Sequence, residues 1–469
     1  MPTTNGNRPI LDLSRWEVLS TPPVGTTSGS FMVGLSDISQ QLWFFDGTST
    51  TFSYSPVDDG WNRGTASNVS SLGGGSCGCT TNVGPSGTCF ADGTSTTLVT
   101  SENLKRNLKG YKILITGGPA AGDVRTIASN VVGVNGAITV TSAFSANPTT
   151  ATTYRLMTPK IWVAAGNTIT GNASFRQYDW ATDTWSNGGN LPVGASTDAR
   201  LEPTPSFMYN EFVSFATGTA TAGGANTLTN SGKTWATNQW TRSQIRITGG
   251  TGAGQIRTIS SNTATQITVS ANWTTNPDAT STYSIEGNDD FLYWSRSGST
   301  AFYRYQISTA TWTQIGTRGG APSGSVQLNW VWEVEDPTWT NENAIGNGRY
   351  LFSWRSSTVI MDRYDIATDT WSTPTFSPTP TSIISGSFNS TCDRNSIYLQ
   401  DNSNAGRMYR YDVLTSEIGP SFNIPITPTS STHGNKMTVM RYKDGATIIR
   451  WIYVVPQGTT TLARRMIIS

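Results

Sequence analysis

Five carboxylates are the residues of this chain best placed for acid–base chemistry. Glu333, Glu335 and Asp336 lie in the segment NWVWEVEDP, and Asp289 and Asp290 are adjacent to each other. Glycoside hydrolysis needs one carboxylic acid and a second carboxylate that acts as base or nucleophile. Glu333 and Glu335 would share one face of a strand, but a chain with 30 acidic residues yields such clusters by chance. The sequence favours polar surface or inter-subunit contacts over a hydrolase here.

A glycine-rich segment, GGTGAGQIRT at 249–258, could cradle a phosphate. A phosphate-binding loop of the P-loop type ends in Lys followed by Ser or Thr and joins a strand to a helix. No Lys follows this segment, and strand-like runs flank it on both sides. The sequence therefore predicts a tight β-turn in which Arg257, and Arg125 in a similar segment, brace a hairpin.

Metal and redox chemistry have weak support. Cys77, Cys79 and Cys89 lie in one glycine-rich stretch with C-x-C spacing, Cys392 is remote, and His433 is the only histidine. A zinc site normally needs four ligands in paired spacing, and a copper site needs histidines. We predict free thiols in a loop, ahead of a local disulfide or a metal site, and we expect no cofactor.

The surface composition excludes several partner classes. Formal net charge is +1, and charged residues make up 13% of the chain, about half the usual share of roughly 25%. A basic nucleic-acid surface is therefore not predicted. No apolar run reaches the roughly 18 residues that a membrane span needs, and the start, MPTTNGNRPILDL, lacks a signal-peptide pattern. We expect assembly in a cytoplasm.

Aromatic residues outside the repeat described below could stack on sugars. The candidates are Trp180, Trp273, Trp339 and Trp354. Burial between sheets is the favoured alternative for them.

The elements that carry these residues are defined by a repeat in which Tyr is followed seven positions later by Trp. The repeat positions are Tyr54 and Trp61, Tyr178 and Trp185, Tyr305 and Trp312, and Tyr364 and Trp371, with Tyr411 followed by Ile418 as a fifth copy. The last two intervals are close to one blade of a β-propeller, about 40–50 residues. Each blade should be four short antiparallel strands, with the Tyr and Trp packing blade against blade.

A second repeat explains why the first two intervals are much longer. Residues 113–130 (ILITGGPAAGDVRTIASN) match residues 245–262 (IRITGGTGAGQIRTISSN), with Gly117 paired to Gly249 and Arg125 paired to Arg257. Each copy alternates apolar and polar residues, as half-buried strands do. We predict two small β-modules, both inserted between the first and second strands of neighbouring blades. The candidate first strand before the second copy is 206–218.

The chain ends suggest how the ring closes. Residues 449–455 and 462–469 read as strands with no tryptophan-bearing strand after them, whereas Trp16 lies in such a segment at the other end. A blade shared by both termini would remove free sheet edges. The predicted fold is an all-β propeller of six blades closed by the N-terminal strand. The predicted divisions are 1–90 (closing strand and first blade), 91–157 (module 1), 158–216 (second blade and start of the third), 217–287 (module 2) and 288–469 (remaining blades).

The segments YDWATDTW and YDIATDTW resemble the kelch repeat, although the usual Gly-Gly doublet is replaced by FFDG, VAAG, WSRSG and SWRSS. The ITGGTGAGQIRTI module is similar to one in structural proteins of tailed bacteriophages. Together they resemble the tail nozzle of short-tailed phages. This resemblance implies a non-enzymatic virion protein in a homo-oligomeric ring, expected to be a hexamer.

The resemblance further implies that the ring continues the DNA ejection channel. Its neighbours would be other tail proteins such as the adaptor and fibres, and DNA would pass without sequence recognition. The virion would assemble in the host bacterial cytoplasm. Two alternatives remain open: a virion-surface carbohydrate- or receptor-binding propeller, and a glycoside hydrolase.

Overall fold

A computed structural model describes most of the chain between residues 16 and 466. The described ranges are 16–24, 26–27, 29–35, 38–64, 72, 76–166, 175–194, 198–204, 206–208, 210–321, 328–332, 347–355, 360–374, 390–393, 396–401, 407–413, 417–419, 422–424, 437–444, 447–455 and 462–466. Within these ranges, all helix and strand assignments are β-strands. Within them, no helix is present that has the length and hydropathy for crossing a bilayer.

The first half of the chain forms a closing strand, blade 1, and blade 2 with its insert. The closing strand is β1 (Glu17–Val18), and blade 1 is β2 (Phe31–Leu35), β3 (Gln41–Phe45), β4 (Thr51–Ser55) and β5 (Gly60–Arg63). Blade 2 begins with β6 (Cys77–Thr81). Module 1 follows with β7 (Ser86–Thr88), β8 (Ala91–Thr94), β9 (Thr97–Val99), β10 (Asn103–Leu104), β11 (Lys112–Gly117), β12 (Val124–Asn130), β13 (Gly133–Val134), β14 (Ala137–Val140) and β15 (Thr153–Met157). Blade 2 then resumes with β16 (Lys160–Ala164), β17 (Phe175–Asp179) and β18 (Thr184–Gly189).

Blade 3 is interrupted in the same way. It begins with β19 (Ala199–Pro203), followed by a small hairpin of β20 (Phe207–Met208) and β21 (Glu211–Phe212). Module 2 comprises β22 (Ser214–Thr219), β23 (Ala222–Gly223), β24 (Thr227–Thr229), β25 (Gln244–Gly249), β26 (Ile256–Asn262), β27 (Gln266–Val269) and β28 (Thr282–Glu286). Blade 3 ends with β29 (Phe291–Arg296), β30 (Phe302–Gln306) and β31 (Thr311–Ile315).

The remaining strands form three further blades. Blade 4 is β32 (Asn329–Trp332), β33 (Asn347–Trp354), β34 (Met361–Asp365) and β35 (Thr370–Ser372). Blade 5 is β36 (Ser390–Asp393), β37 (Ser396–Asp401), β38 (Arg407–Asp412), β39 (Glu417–Ile418) and β40 (Phe422–Asn423). Blade 6 is β41 (Met437–Asp444), β42 (Thr447–Val454) and β43 (Ala463–Met466).

The six blades form a closed ring, which confirms the predicted propeller. The first strands β2, β6, β19, β32, β36 and β41 contact one another in that circular order, and β41 returns to β2. The N-terminal β1 pairs with β43 as the fourth strand of blade 6. Because β1 and β43 come from opposite ends of the described chain, their pairing closes the ring.

The two inserts also agree with the prediction. Module 1 connects the first and second strands of blade 2, and module 2 does the same in blade 3. Equivalent connections of a propeller emerge on one face, so both modules project from the same side. The sheet of module 1 starts at Ser86 and that of module 2 at Ser214.

Two local expectations were wrong, and both concern strands next to the ring axis. The first strand of blade 3 is Ala199–Pro203, whereas 206–218 contains the β20–β21 hairpin and the start of module 2. Cys77 and Cys79 lie on β6 and not in a loop. Strands that line the axis contact their counterparts in neighbouring blades. They therefore do not need the apolar–polar alternation by which half-buried strands are recognised.

Candidate functional site

The tyrosine and tryptophan of each repeat lie directly opposite each other on the third and fourth strands of a blade. The paired positions are Tyr54 and Trp61, Tyr178 and Trp185, Tyr305 and Trp312, Tyr364 and Trp371, and Tyr411 and Ile418. Centroids of the four aromatic pairs are 5.0–5.3 Å apart. The same residues face the preceding blade: Trp371, for instance, lies 5.0 Å from Phe302. The repeat therefore builds the seams between blades.

Trp16 occupies the corresponding seam of the closing blade. It packs against a cluster that includes Val439 and Ala463 of blade 6 and Tyr398 and Met408 of blade 5. Because β1 is only two residues long, this packing contributes much of what holds the terminus in the ring.

Replacing Trp16 by alanine should therefore lower the free energy of unfolding by about 2–4 kcal/mol, through lost burial and the cavity left behind. Val18 on the same strand is 59% exposed, so Val18→Ala is the matched control and should change stability by less than about 0.5 kcal/mol. Urea denaturation of both variants measures the difference. Equal effects would mean that the N-terminal strand does not close the propeller.

Arginines from the modules anchor them to the turns of the repeat. The Tyr178 hydroxyl donates a hydrogen bond to Asp183, and Arg106 of module 1 lies 3.0 Å from the same carboxylate. In module 2, Arg242 donates to the Ile366 carbonyl at 2.7 Å and lies 3.7 Å from Asp369. Burial is the main cause that raises the pKa of Tyr178, so its hydroxyl remains a donor at neutral pH. The blade turns thus serve as docking points for the inserts.

The two modules share one topology. Strand order is β7-β15-β11-β12-β14-β9-β8 in module 1 and β22-β28-β25-β26-β27-β24-β23 in module 2. Gly117 and Gly249 lie at the same register shift of their sheets. Arg125 Nε donates to the Ala143 carbonyl at 2.7 Å, and Arg257 Nε donates to the Asn272 carbonyl at 3.0 Å. These contacts give both arginines a bracing role.

The glycine-rich turns of the two modules meet each other. Gly122 and Gly254 occupy equivalent places in the repeated segment, with φ of 91° and 85°. A Cβ on Gly254 would lie 2.7 Å from the Gly122 nitrogen and 2.7 Å from the Ile115 oxygen. Beside this contact, the equivalent residues Val124 and Ile256 pack on a small apolar cluster. The two modules therefore contact each other through equivalent turns, and these turns are too close to admit a side chain.

A groove of about 580 Å³ lies between the paired turns. Its described lining consists of small and uncharged residues, among them Thr116, Gly118, Ser145, Gln255 and Thr275. No lysine or arginine contributes to that described lining. The turns therefore serve contact between modules and lack the cation that phosphate binding requires.

A second cavity, of about 130 Å³, lies on the ring axis. First strands from all six blades line it. Its charged residues, among those the structure describes, are Arg200, Glu202 and Arg441. Arg441 Nε lies 2.7 Å from Asp393, so this guanidinium is neutralised by its own partner.

Glu202 is the most strongly perturbed carboxyl bordering this cavity. Burial raises its pKa to about 8, against the opposing influence of the Trp330 backbone N–H, Arg200 and Arg441. The residue as a whole is only half-buried, but it lines the axial cavity, and burial is the largest influence on the pKa of its carboxyl. At neutral pH the neutral acid predominates.

The thiols near the axis favour the protonated form. All four cysteines are free and buried. Burial raises the pKa of Cys79 and Cys392 well above the ordinary value, and the charge of Glu202 adds to the effect. Over the described residues, no group of three His, Cys, Asp or Glu side chains is arranged to hold a metal ion.

Two of the carboxylates first considered for hydrolysis, Asp289 and Asp290, are engaged in contacts with neighbouring side chains. Asp289 lies 3.1 Å from Arg155 of module 1 and accepts a hydrogen bond from Ser206. Asp290 accepts hydrogen bonds within its own blade, from Ser308. Glu333, Glu335 and Asp336 lie outside the described residues.

The tryptophans considered for sugar stacking are mostly buried. Trp180, Trp273 and Trp354 are each at most 6% exposed, and Trp339 lies outside the described residues. Three of the four candidate platforms therefore fill seams or module cores.

Comparison with known proteins adds little beyond the fold. No protein-family model and no curated protein matches the chain. Among solved structures, it is similar to regucalcin from Agrobacterium tumefaciens, described as a calcium-binding protein. That match has 7% identity and a TM-score of 0.40, over 96% of this chain and 92% of the other.

Proposed function

We propose that the protein is a structural component of a tailed-phage virion and forms a six-fold ring in the tail nozzle. The observation that carries this proposal is the pair of matching modules docked side by side on one face of the propeller. The duplicated modules are anchored to the blade turns by Arg106 and Arg242, which suits a part that must present one surface repeatedly around a ring. The role is assembly around the DNA ejection channel, not catalysis.

Charge supports the same role. Net charge is +1, and charged residues are few. Strong phosphate binding depends on many lysine and arginine contacts, so a ring of such chains would hold passing DNA weakly. The adaptor, fibres and other tail proteins are the expected neighbours in the particle.

The two modules differ in the apolar surface that they expose, and this difference points to a contact between subunits. Module 1 ends in an exposed apolar patch formed by Phe90, Val131, Val132 and Val134, which are 55–66% exposed. Strand pairing brings these side chains together, because Val99 and Ala137 lie opposite each other on paired strands. The backbone N–H of Phe90 donates to the Val99 carbonyl, and the backbone N–H of Val131 donates to the Ala137 carbonyl. Module 2 carries Thr263, Ala264 and Thr265 where module 1 has the valines. Module 1 carries this exposed apolar patch and module 2 does not, and such a patch marks a contact site. In a ring, each subunit would use its patch once, against the neighbouring subunit.

Charges in this apolar patch should therefore block ring formation. We expect Val132→Asp with Val134→Asp to weaken self-association at least tenfold while leaving thermal unfolding nearly unchanged, because the side chains are exposed. The matched control is Thr263→Asp with Ala264→Asp on module 2, which should assemble normally. Mass photometry across a concentration series measures both.

Two outcomes would argue against this use of the apolar patch. One is normal assembly of the valine variant. The other is equal loss of assembly in the module 2 control, which would indicate a general effect of added negative charge.

A further inference from the structure

The axial cavity contains a buried cation, Arg200, for which the described residues supply no ion-pair partner. Arg200 lines the cavity on β19 and is 4% exposed. Its Nε and Nη1 have no hydrogen-bond partner among the described residues. A guanidinium carries five N–H donors, and burying a charged group without a partner costs several kcal/mol. Such a group points to an occupant that supplies the missing acceptors.

The neighbouring acids among the described residues do not supply them. Asp198, two residues before Arg200 and also buried, accepts a hydrogen bond from the Ala199 backbone N–H. Glu202 is two residues from Arg200 on the same strand face, but burial raises its pKa to about 8, so it is mainly uncharged at neutral pH. Asp393 forms an ion pair with Arg441 at 2.7 Å and a second one with Arg450 at 3.7 Å. Among the described lining residues, Arg200 is therefore the cation without an ion-pair partner at pH 7.

We propose that the axial cavity binds a small organic carboxylate, with its anionic group paired to Arg200. Arginine matches a carboxylate with two parallel hydrogen bonds. The rest of the lining includes apolar side chains such as Met32, Met208, Phe207 and Met437, which suit a short aliphatic or aromatic body. The mixture of an apolar wall with few polar groups is usual for small-molecule sites.

Volume limits the ligand. The cavity measures about 130 Å³, close to the engineered cavity of about 150 Å³ that admits benzene. Butyrate or benzoate fits this volume, whereas a nucleotide or a sugar phosphate does not. Inorganic phosphate would leave the apolar wall without contacts.

Titration calorimetry on the full chain at constant ionic strength tests the proposal, with butyrate and benzoate as probes and butanol and phosphate as controls. We expect saturable binding of at least one carboxylate and none of butanol or phosphate. Arg200→Met should lower the affinity at least tenfold. Arg296→Met, on the second strand of the same blade and outside the described lining, is the matched control and should bind normally.

The pH dependence gives a second readout that does not require the Arg200 variant to fold. Arg200 and Arg441 face Glu202, while Cys79 and Cys392 stay neutral because burial raises the pKa of both thiols. As Glu202 ionises above about pH 8, its charge should compete for Arg200 and weaken carboxylate binding at least fivefold by pH 9.5. Glu202→Gln should bind equally at pH 7 and 9.5.

Three results would overturn the proposed site. The first is that neither butyrate nor benzoate binds, and the second is that phosphate or butanol binds as tightly as the carboxylates. The third is that Arg200→Met binds the carboxylate with the same affinity as the parent protein. Loss of ring formation without loss of carboxylate binding would contradict the proposed virion role alone.

Discussion

Replacing Glu202 by glutamine should make the protein more stable than the parent at pH 9 and equally stable at pH 5. Burial raises the pKa of this carboxyl from 4.5 to about 8 in the folded protein. The folded state therefore binds more protons than the unfolded state between these values. Stability then falls as pH rises: the contribution is fully present below about pH 4.5 and lost as pH passes through about 8.

The expected size is large because one pKa unit corresponds to about 1.36 kcal/mol. For this shift the parent should lose roughly 3–5 kcal/mol of unfolding free energy between pH 5 and pH 9 through this one group. Glutamine resembles the protonated acid in shape and does not ionise, so the variant should lack this loss. Urea denaturation at pH 5, 7 and 9 measures the difference.

Glu211→Gln is the control for this experiment. Glu211 is exposed, so removing its charge should leave the pH profile within about 0.5 kcal/mol of the parent. If Glu202→Gln and Glu211→Gln gave the same profile, Glu202 would be an ordinary solvated carboxylate, and the electrostatic description of the axial cavity would be wrong.

Placing a methyl group on Gly254 should separate the two modules. Its Cβ would lie 2.7 Å from backbone atoms of both Gly122 and Ile115, which belong to the other module and cannot rotate away. Overpacking costs about 1–3 kcal/mol, and a left-handed backbone adds about 1–2 kcal/mol for a non-glycine residue. We expect Gly254→Ala to lower the unfolding free energy by about 2–5 kcal/mol.

Gly298→Ala isolates the backbone contribution. Gly298 has a similar φ of 71°, but its Cβ would meet nothing within 4 Å. It should cost only the conformational part, about 1–2 kcal/mol. Equal losses in the two variants would show that the turns do not touch.

A rescue experiment tests the same contact from the other side. A Cβ on Gly122 would lie 2.7 Å from the Ala253 methyl. Gly122→Ala should therefore be destabilising, and adding Ala253→Gly should recover part of the loss because the opposing methyl is removed. A double-mutant cycle with no coupling would contradict the paired arrangement.

The sequence predicts the fold where a pattern is local and repeated. Tyr and Trp at fixed spacing lie on two strands joined by one turn, so they report a blade directly. The repeated ITGG segment locates both inserts for the same reason, and Trp16 indicates closure because it lacks partner strands of its own. These features depend on neighbours in the chain, and the structure agrees with them.

The axial site could not be predicted because it depends on contacts between residues far apart in the chain. Arg200 and Glu202 lie in the segment DARLEP, whose charges and proline do not suggest a strand. Their environment comes from Cys79, Trp330 and Cys392 on other blades. Burial, and not any motif, sets the pKa of Glu202. The paired turns were missed likewise, since sequence similarity showed two equivalent modules but not that they touch.

The most direct test of the central claim is a cryo-electron microscopy reconstruction of a tailed-phage particle that carries this chain. We expect several copies in a closed ring around the tail channel, with the apolar patch of each module 1 against the next copy. Absence of the chain from purified particles would contradict the proposed virion role. So would its presence only as separate copies outside the channel.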